Sequence, residues 1–399
     1  MRVRCYVAEP MTDPPRSQGG KFLRILTLFG TRPEVIKLAP VIRALEAAPG
    51  RFVTRNVASG QHAQLLHPFA RELGVRVDED LRVGCDDQTP SEVCRRILET
   101  LGPLLERERP AAILVQGDTT TAFAGALAGF YAQVPVAHVE AGLRSGDLRS
   151  PYPEEMNRRL ITQLASYHFA ATARNRATLR AEGVPAERIA LTGNPIVDSV
   201  QWAVAHTKPS SRILELLREL GERRLVLLTT HRRESFGDIM QRRLCVLRRF
   251  VERHPDVALV FPVHPNPNVR IPTHEILAGL ERVHLVAPLD YADFVQLLSR
   301  AWLVVSDSGG VQEEAPSLGR PVLVIRDNTE RTEAIEAGVA RLVGRSPEAL
   351  EQALEGLHAD PGWCRSVTAI ANPFGAGDAG PRIADALSRF LADEAETRP

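Results

Sequence analysis

Apolar and polar positions along this chain fall into blocks with two different periods. Apolar runs of strand length recur at residues 22–30, 51–59, 111–117, 134–142 and 167–172. Between them lie longer stretches whose apolar residues keep near-helical spacing. The first is TRPEVIKLAPVIRALEAA, with a proline early in its first turn. The runs at 111–117 and 134–142 read as buried parallel strands. This βαβα rhythm predicts a doubly wound parallel sheet flanked by helices.

Near residues 192–211 the rhythm pauses. It restarts with apolar runs at 224–231, 257–264, 283–288, 302–308 and 321–325, each followed by a helical pattern. The chain therefore reads as α/β, with two doubly wound units of comparable size and no sequence repeat between them. The expected divisions are an N-terminal unit over 22–192, a C-terminal unit over 193–375, and a last helical segment, 376–399, returning to the first unit. Residues 1–21, rich in proline and with two adjacent glycines, read as a disordered extension. In such sheets ligands sit beyond the carboxyl ends of the strands. Two facing sheets thus predict one cleft between them.

Composition narrows the partners. A chain of 399 residues is too long for one ordinary domain. Its 49 basic and 49 acidic residues cancel. That argues against broad electrostatic binding to nucleic acid or anionic membrane, while leaving room for a local basic pocket. No apolar run approaches the ~20 residues that span a bilayer. The five cysteines are scattered and form no CxxC pair, so neither a zinc knuckle nor a disulfide framework is expected. A reducing, cytoplasmic setting fits.

Polar residues then gather just after the strands. In FGTRPEVIK, Arg32 and Lys37 stand at a strand–helix turn, where free N–H groups and a guanidinium make an anion site or simply a solvated turn. Walker and GxGxxG patterns are absent. Asp118 follows a buried strand and opens a helix, a place for a helix cap or a working acid. Glu140 interrupts an apolar run, and burying a carboxylate there is costly unless it is paired or working. Glu154 and Arg158 are four apart on the next helix, as are Glu155 and Arg159. The preceding loop carries Arg144, Asp147 and Arg149 and reads as a mobile, substrate-contacting segment.

The second half repeats the placement with other residue types. His231, Arg232, Arg233 and Glu234 follow one strand directly, and His264 holds the equivalent position one strand later. Cationic and neutral donors there suit a diphosphate. In VVSDSGGVQEEAPSLG, Ser308, Gly309 and Gly310 open a helix whose free N–H groups suit phosphate, and Glu313 and Glu314 follow. A carboxylate at this place accepts both hydroxyls of a ribose, or merely complements the helix dipole. These features point to a nucleotide-diphosphate site faced by carboxylates, and more to a sugar nucleotide than to ATP or NAD.

At these residues the chain resembles the non-hydrolysing UDP-N-acetylglucosamine 2-epimerases. The matching stretches run in order from GTRPE, SGQH, QGDTTT, HVEAGLRSGD and PEEMNR to TGNPIVD, THRRESFG, VHPNPNVR, SDSGGVQEEAPSLGRPVLV, RDNTERTEAIEAG and NPFGAGDA. The resemblance implies two Rossmann-like domains in a glycosyltransferase-B arrangement with an interdomain cleft. It implies C2 epimerisation of UDP-GlcNAc to UDP-ManNAc through 2-acetamidoglucal, with no metal and no cofactor, in a homodimer. Asp118, Glu140, Glu154 and His231 would be catalytic. Arg32, Lys37, Arg158, Ser308, Gly309, Gly310 and Glu314 would bind substrate. Gln61 and His264 match residues of a site for a second, activating UDP-GlcNAc. SGQH and RDNTER depart mildly from the family's usual TGQH and RDTTER, and VGCDDQTPSEV departs more from its usual Pro-Gly-Gln pattern. The alternatives are an epimerase of a more heavily modified sugar, a retaining glycosyltransferase of the same architecture, and a non-catalytic sensor. The carboxylate trio favours the epimerase.

Overall fold

The computed structural model describes residues 22–60, 63–85 and 88–397. The N-terminal extension and Gln61 lie outside the described residues. Seven strands, β1 (Leu23–Phe29), β2 (Phe52–Ala58), β3 (Glu79–Asp80), β4 (Ala112–Gln116), β5 (Val136–Ala141), β6 (Tyr167–Ala170) and β7 (Ile189–Leu191), form one parallel sheet. Its order is β3-β2-β1-β4-β5-β6-β7. Six more, β8 (Arg224–Thr229), β9 (Val257–Pro262), β10 (Val283–Val286), β11 (Leu303–Ser306), β12 (Val322–Val324) and β13 (Ala340–Leu342), form a second parallel sheet, ordered β10-β9-β8-β11-β12-β13. The predicted runs account for ten of these strands. The short strands β3, β7 and β13 have too few apolar residues to show as runs.

Each sheet reverses its winding once, between β1 and β4 in the first and between β8 and β11 in the second. Helices leave opposite faces at such a point, and the crevice that results lies beyond the strand ends. The motifs after β1, β4, β8 and β11 are therefore the ones the topology brings to the two crevices.

The pause near 192–211 is mostly helical. Asn194 caps the helix Pro195–His206 by accepting from Ile196 N at 3.1 Å, and Pro195 suits its first turn. Ile196, Val197 and Val200 are buried in one apolar cluster with Ile25 of β1 and Val304 of β11. That helix is thus the packed spine between the two sheets. The last helix, Ala379–Thr397, lies against the helix Arg32–Glu46 of the first unit. Gly380 is obligatory there, since a Cβ would stand 2.5 Å from the Pro40 carbonyl oxygen. Asp198 accepts from Ala379 N and Gly380 N, and the Phe390 ring stacks on Tyr167 at 4.7 Å. No helix among the described residues is long and apolar enough to cross a membrane.

Candidate active site

After β1 the chain turns at Gly30 into the helix Arg32–Glu46. Glu34 closes this turn. Its carboxylate accepts from Gly30 N at 2.9 Å and Thr31 N at 2.7 Å, and takes the Thr119 hydroxyl at 2.7 Å. It therefore ties the loop after β1 to the loop after β4, a structural use of the Glu in GTRPE. One turn on, Lys37 is buried and carries its ammonium to Glu140 and, at 2.9 Å, to Glu313 of the second unit. Burial works against its charge, yet the two carboxylates keep its pKa above the usual lysine range. Arg32 is exposed, with its guanidinium 4.7 Å from the centre of the Phe69 ring.

Glu140 sits in β5 at φ 66°, in the left-handed region, and the register with β6 shifts across it. Such a conformation costs a non-glycine residue about 1–3 kcal/mol and collects at functional sites. Here it turns the carboxylate out of the sheet. Besides Lys37, Glu140 accepts from Gln116 Nε2 at 2.5 Å and Asn194 Nδ2 at 3.4 Å.

Asp118 takes Arg158 through Nε and Nη2 at 2.7 Å each, and Asn157 donates to its carbonyl. The sequence suggested Glu154–Arg158 as a helix pair; Arg158 instead reaches Asp118 and Glu155. Glu155, fully buried, accepts from Ser145 N at 2.9 Å and pairs with Arg158 at 3.2 Å and Arg159 at 3.1 Å. Glu154 is left over. Its Oε2 is buried and has no hydrogen-bond partner among the described residues. The loop before this helix is held as well, with Arg144 tied to Glu182 at 2.7 Å and to Thr162 at 2.8 Å.

On the second sheet Asp307 organises the loop after β8. Fully buried, it accepts from Thr230 Oγ1 at 2.7 Å, Arg232 N at 3.1 Å, His231 N at 3.2 Å and Ser235 Oγ at 3.0 Å. The His231 ring is thereby held with Nδ1 3.7 Å from Asp307 and stacked 5.8 Å from His264. Burial lowers the His231 pKa, and the Asp307 charge opposes that. Both rings line a cavity of about 290 Å³ with Ser308, Val311 and Phe294. His264 therefore shares a cavity with His231 here, and its expected companion Gln61 is outside the described residues.

Ser308 caps the helix Gly309–Ser317 in extended conformation and spends no side-chain hydrogen bond on it. The two glycines differ. A Cβ on Gly309 would stand 3.1 Å from the Arg331 guanidinium, so this glycine admits Arg331; a Cβ on Gly310 would meet only Ser308 Oγ, at 4.0 Å. Glu313, nearly inaccessible, pairs with Lys37 and, at 2.9 Å, with Arg331, which also holds Glu330 at 3.1 Å. Burial raises the Glu313 pKa, but Lys37 and Arg331 outweigh it and keep it below the carboxylate range. Burial, helped by the Glu313 charge, pushes Glu314 the other way, to about 7. The Tyr291 hydroxyl lies beside Glu314 and closes no hydrogen bond of good geometry to it.

The structure thus brings Lys37, Glu140 and the 308–314 helix start together, with Asp118 and Arg158 joined beside them. Glu313, named with Glu314 in the sequence, belongs to the same cluster, as do Gln116, Asn194, Glu330 and Arg331, which the sequence reading does not single out. Each lies in a motif quoted above or next to one, at the end of a strand or the start of a helix. Around Glu140, Glu313 and Arg331 the remaining cavity is about 10 Å³, room for one water at most. The ion cluster closes the cleft at this point.

A family model described as UDP-N-acetylglucosamine 2-epimerase matches residues 43–388. The chain belongs to the UDP-N-acetylglucosamine 2-epimerase family. A probable UDP-N-acetylglucosamine 2-epimerase of Ralstonia solanacearum is 44% identical over 376 residues, covering 92% of this chain and 100% of that one. The UDP-N-acetylglucosamine 2-epimerase of Escherichia coli K12 is 42% identical, covering 92% and 98%. The crystal structure of the Neisseria meningitidis enzyme bound to UDP-GlcNAc superposes with a TM-score of 0.86 at 37% identity, over 92% of this chain and all of that one. Two parallel α/β sheets in the glycosyltransferase-B arrangement are therefore the family's architecture as well as this chain's, and the chain is an isomerase of the epimerase class.

Proposed function

We propose that the chain interconverts UDP-N-acetylglucosamine and UDP-N-acetylmannosamine by inverting C2. The observation that carries this is the placement of Asp118, Glu140 and Glu154 on the carboxyl edge of the first sheet, facing the Ser308–Gly310 helix start and His231 on the second, in a chain of this family. C2 bears no adjacent carbonyl, so its proton is weakly acidic. Elimination avoids a free C2 carbanion, because the C2–H electron pair becomes the C1–C2 double bond as UDP leaves C1. A base takes the C2 proton, the C1–oxygen bond breaks, and UDP leaves with the electron pair, giving 2-acetamidoglucal. A proton is then returned to the opposite face of C2, and UDP adds again at C1.

Two tasks follow. The departing diphosphate needs preorganised donors, supplied by the free N–H groups at Gly309 and Gly310, by Ser308, His231 and Arg32. Glu314 takes the ribose hydroxyls. The C2 proton needs acid–base groups on both faces. Glu140 is held by Lys37 and Gln116, and Asp118 by Arg158, whereas Glu154 has a buried oxygen without a partner, so Glu154 is the group freest to exchange a proton. Substrate entry requires the two units to part at the Lys37–Glu313 contact and to close again, which retains the glucal. We assign residues 22–192 and 193–375 as the two moving units, with 376–399 carried on the first. We place the enzyme in the cytoplasm as a homodimer supplying surface-polysaccharide precursors, with His264 and Gln61 able to serve an activating second UDP-GlcNAc.

The test is incubation with UDP-GlcNAc in deuterium oxide. The expected product is UDP-ManNAc with deuterium at C2, together with label washed into recovered substrate. Epimerisation without solvent label, or no epimerisation with activator substrate present, would overturn the proposal.

A further inference from the structure

At the edge of the second sheet opposite the cleft, two segments distant in sequence bring two imidazoles and two carboxylates together. His254 ends the helix Asp238–Arg253, Asp256 precedes β9, and Glu355 and His358 lie on the helix Pro347–Ala359. One ligand atom each from His254, Asp256 and His358 fall within 4.8 Å of one another. We propose that these residues form a site for one zinc-class divalent cation, with Glu355 as fourth donor.

The donor set and its spacing suit a tetrahedral ion. Zinc takes imidazole nitrogen and carboxylate oxygen at about 2.0–2.2 Å, which puts neighbouring ligand atoms about 3.3 Å apart. His358 Nε2 already stands 3.0 Å from Asp256 Oδ1, and His254 Nε2 stands 2.8 Å from Glu355 Oε2. The remaining gap is within reach of side-chain torsions. The imidazoles are positioned before any ion arrives. Their rings stack at 3.8 Å, over the buried Phe250 ring at 4.8 Å and 6.0 Å. Arg282 holds the His254 carbonyl at 2.6 Å and Arg224 the His358 carbonyl at 3.3 Å.

The carboxylates are oriented too. Glu355 gives its other oxygen to Arg253 at 2.8 Å, and Asp256 gives its second oxygen to Arg224 at 3.4 Å. Such outer partners commonly fix the ligands of a metal site. Two imidazoles with two carboxylates favour zinc or cobalt over magnesium or calcium. The ion would clamp the start of β9 to two helices, far from the cleft, so its expected effect is on stability and not on UDP binding.

The experiment uses the full chain, stripped with a chelator, and titrated with Co²⁺ by visible absorption and with Zn²⁺ by calorimetry. The expected result is one equivalent per chain with a tetrahedral cobalt spectrum, and a rise in Tm with Zn²⁺ that chelator reverses. His254→Gln and His358→Gln should each weaken Co²⁺ binding at least about tenfold while UDP binding stays as in the wild type. Asp256→Asn keeps the shape and removes the charge; it should lose the cobalt spectrum with little change in the metal-free Tm, which keeps the test sound if a histidine variant folds poorly. Absence of saturable binding, an octahedral spectrum, or binding unchanged in all three variants overturns the proposal and leaves two ordinary His–carboxylate pairs.

Discussion

The two sheets reverse their winding in the same way, yet the crevices they open carry different chemistry. Beyond β1 and β4 of the first stand Lys37 and Asp118, with Gln116 at the end of β4 and Glu140 at the end of neighbouring β5. These are side chains that hold or move charge, paired with one another across short distances. Beyond β8 and β11 of the second stand a loop held from within by Asp307 and a helix start whose capping serine is unspent. Its acids look inward: Asp307 binds backbone, and Glu313 pairs with Lys37 and Arg331. In the proposed reaction one crevice would serve as a proton-handling edge and the other as an anion-binding edge, and the ion cluster of Lys37, Glu140, Glu313 and Arg331 is where the two meet.

If the division is sound, changes on the first edge should alter rate and changes on the second should alter nucleotide affinity. Glu140→Gln gives the largest expected effect. It keeps volume and removes the ionisable group, so turnover should fall by about 10²–10⁴-fold, as for a positioned acid or base. UDP affinity by calorimetry should shift by no more than a few fold. Normal turnover would return Glu140 to a purely structural role.

Lys37→Met probes the junction itself. It leaves Glu140 and Glu313 buried with their shared cation gone, although Arg331 still serves Glu313. Removing one partner of a buried pair costs about 3–5 kcal/mol. The urea midpoint should drop accordingly at pH 8, and by less when Glu140→Gln is added, because one uncompensated charge then disappears. Equal midpoints for Lys37→Met with and without the second change would sink the view of the cluster as one coupled unit.

Much of this layout was legible in the sequence because strands buried on both faces are unbroken apolar runs, and any polar residue at their carboxyl ends stands out. That signal marked Asp118, Glu140, His231 and the 308–314 helix start as candidates. It could not find pairings across the cleft. Lys37 meets Glu313 from the other unit, and Arg331 enters the cluster through the space left by Gly309. Helical spacing misled at Glu154 and Arg158, because Asp118 forty residues earlier offers Arg158 a better partner than the neighbouring turn. The helix Pro195–His206 was hidden since its apolar face serves both units at once.

Glu314→Ala is the counterpart of the Glu140 change on the other edge. Deleting a charged or polar clamp on the ribose hydroxyls should weaken UDP by about tenfold or more. Turnover at saturating substrate should survive within a few fold. Wild-type affinity for UDP in this variant would remove the ribose assignment from this helix.

A further expected effect concerns the pH dependence of stability and separates Glu314 from its neighbour Glu313. Burial, and then the Glu313 charge, raise the Glu314 pKa from 4.5 to about 7. Between those values the folded chain keeps a proton that the unfolded chain has lost. Stability from this group is therefore complete below pH 4.5 and is lost as pH rises through 7. The loss is at most about 3 kcal/mol. His138 acts in the opposite sense: burial lowers its pKa from 6.5 to about 4, so its contribution is lost as pH falls through that range. A wild-type profile mixes these with other buried groups, among them His168, lowered by burial to about 3. Glu314→Gln removes one and leaves the others, so the stability of the variant relative to wild type should climb from pH 5 to pH 8 in urea titrations. Glu313→Gln should show a smaller climb: Lys37 and Arg331 keep that carboxylate ionised across this range, so its removal acts only through the part of the Glu314 shift that its charge causes, while burial of Glu314 remains. A difference between Glu314→Gln and wild type that stays flat from pH 5 to pH 8 would mean that Glu314 ionises normally, as an acid open to solvent would.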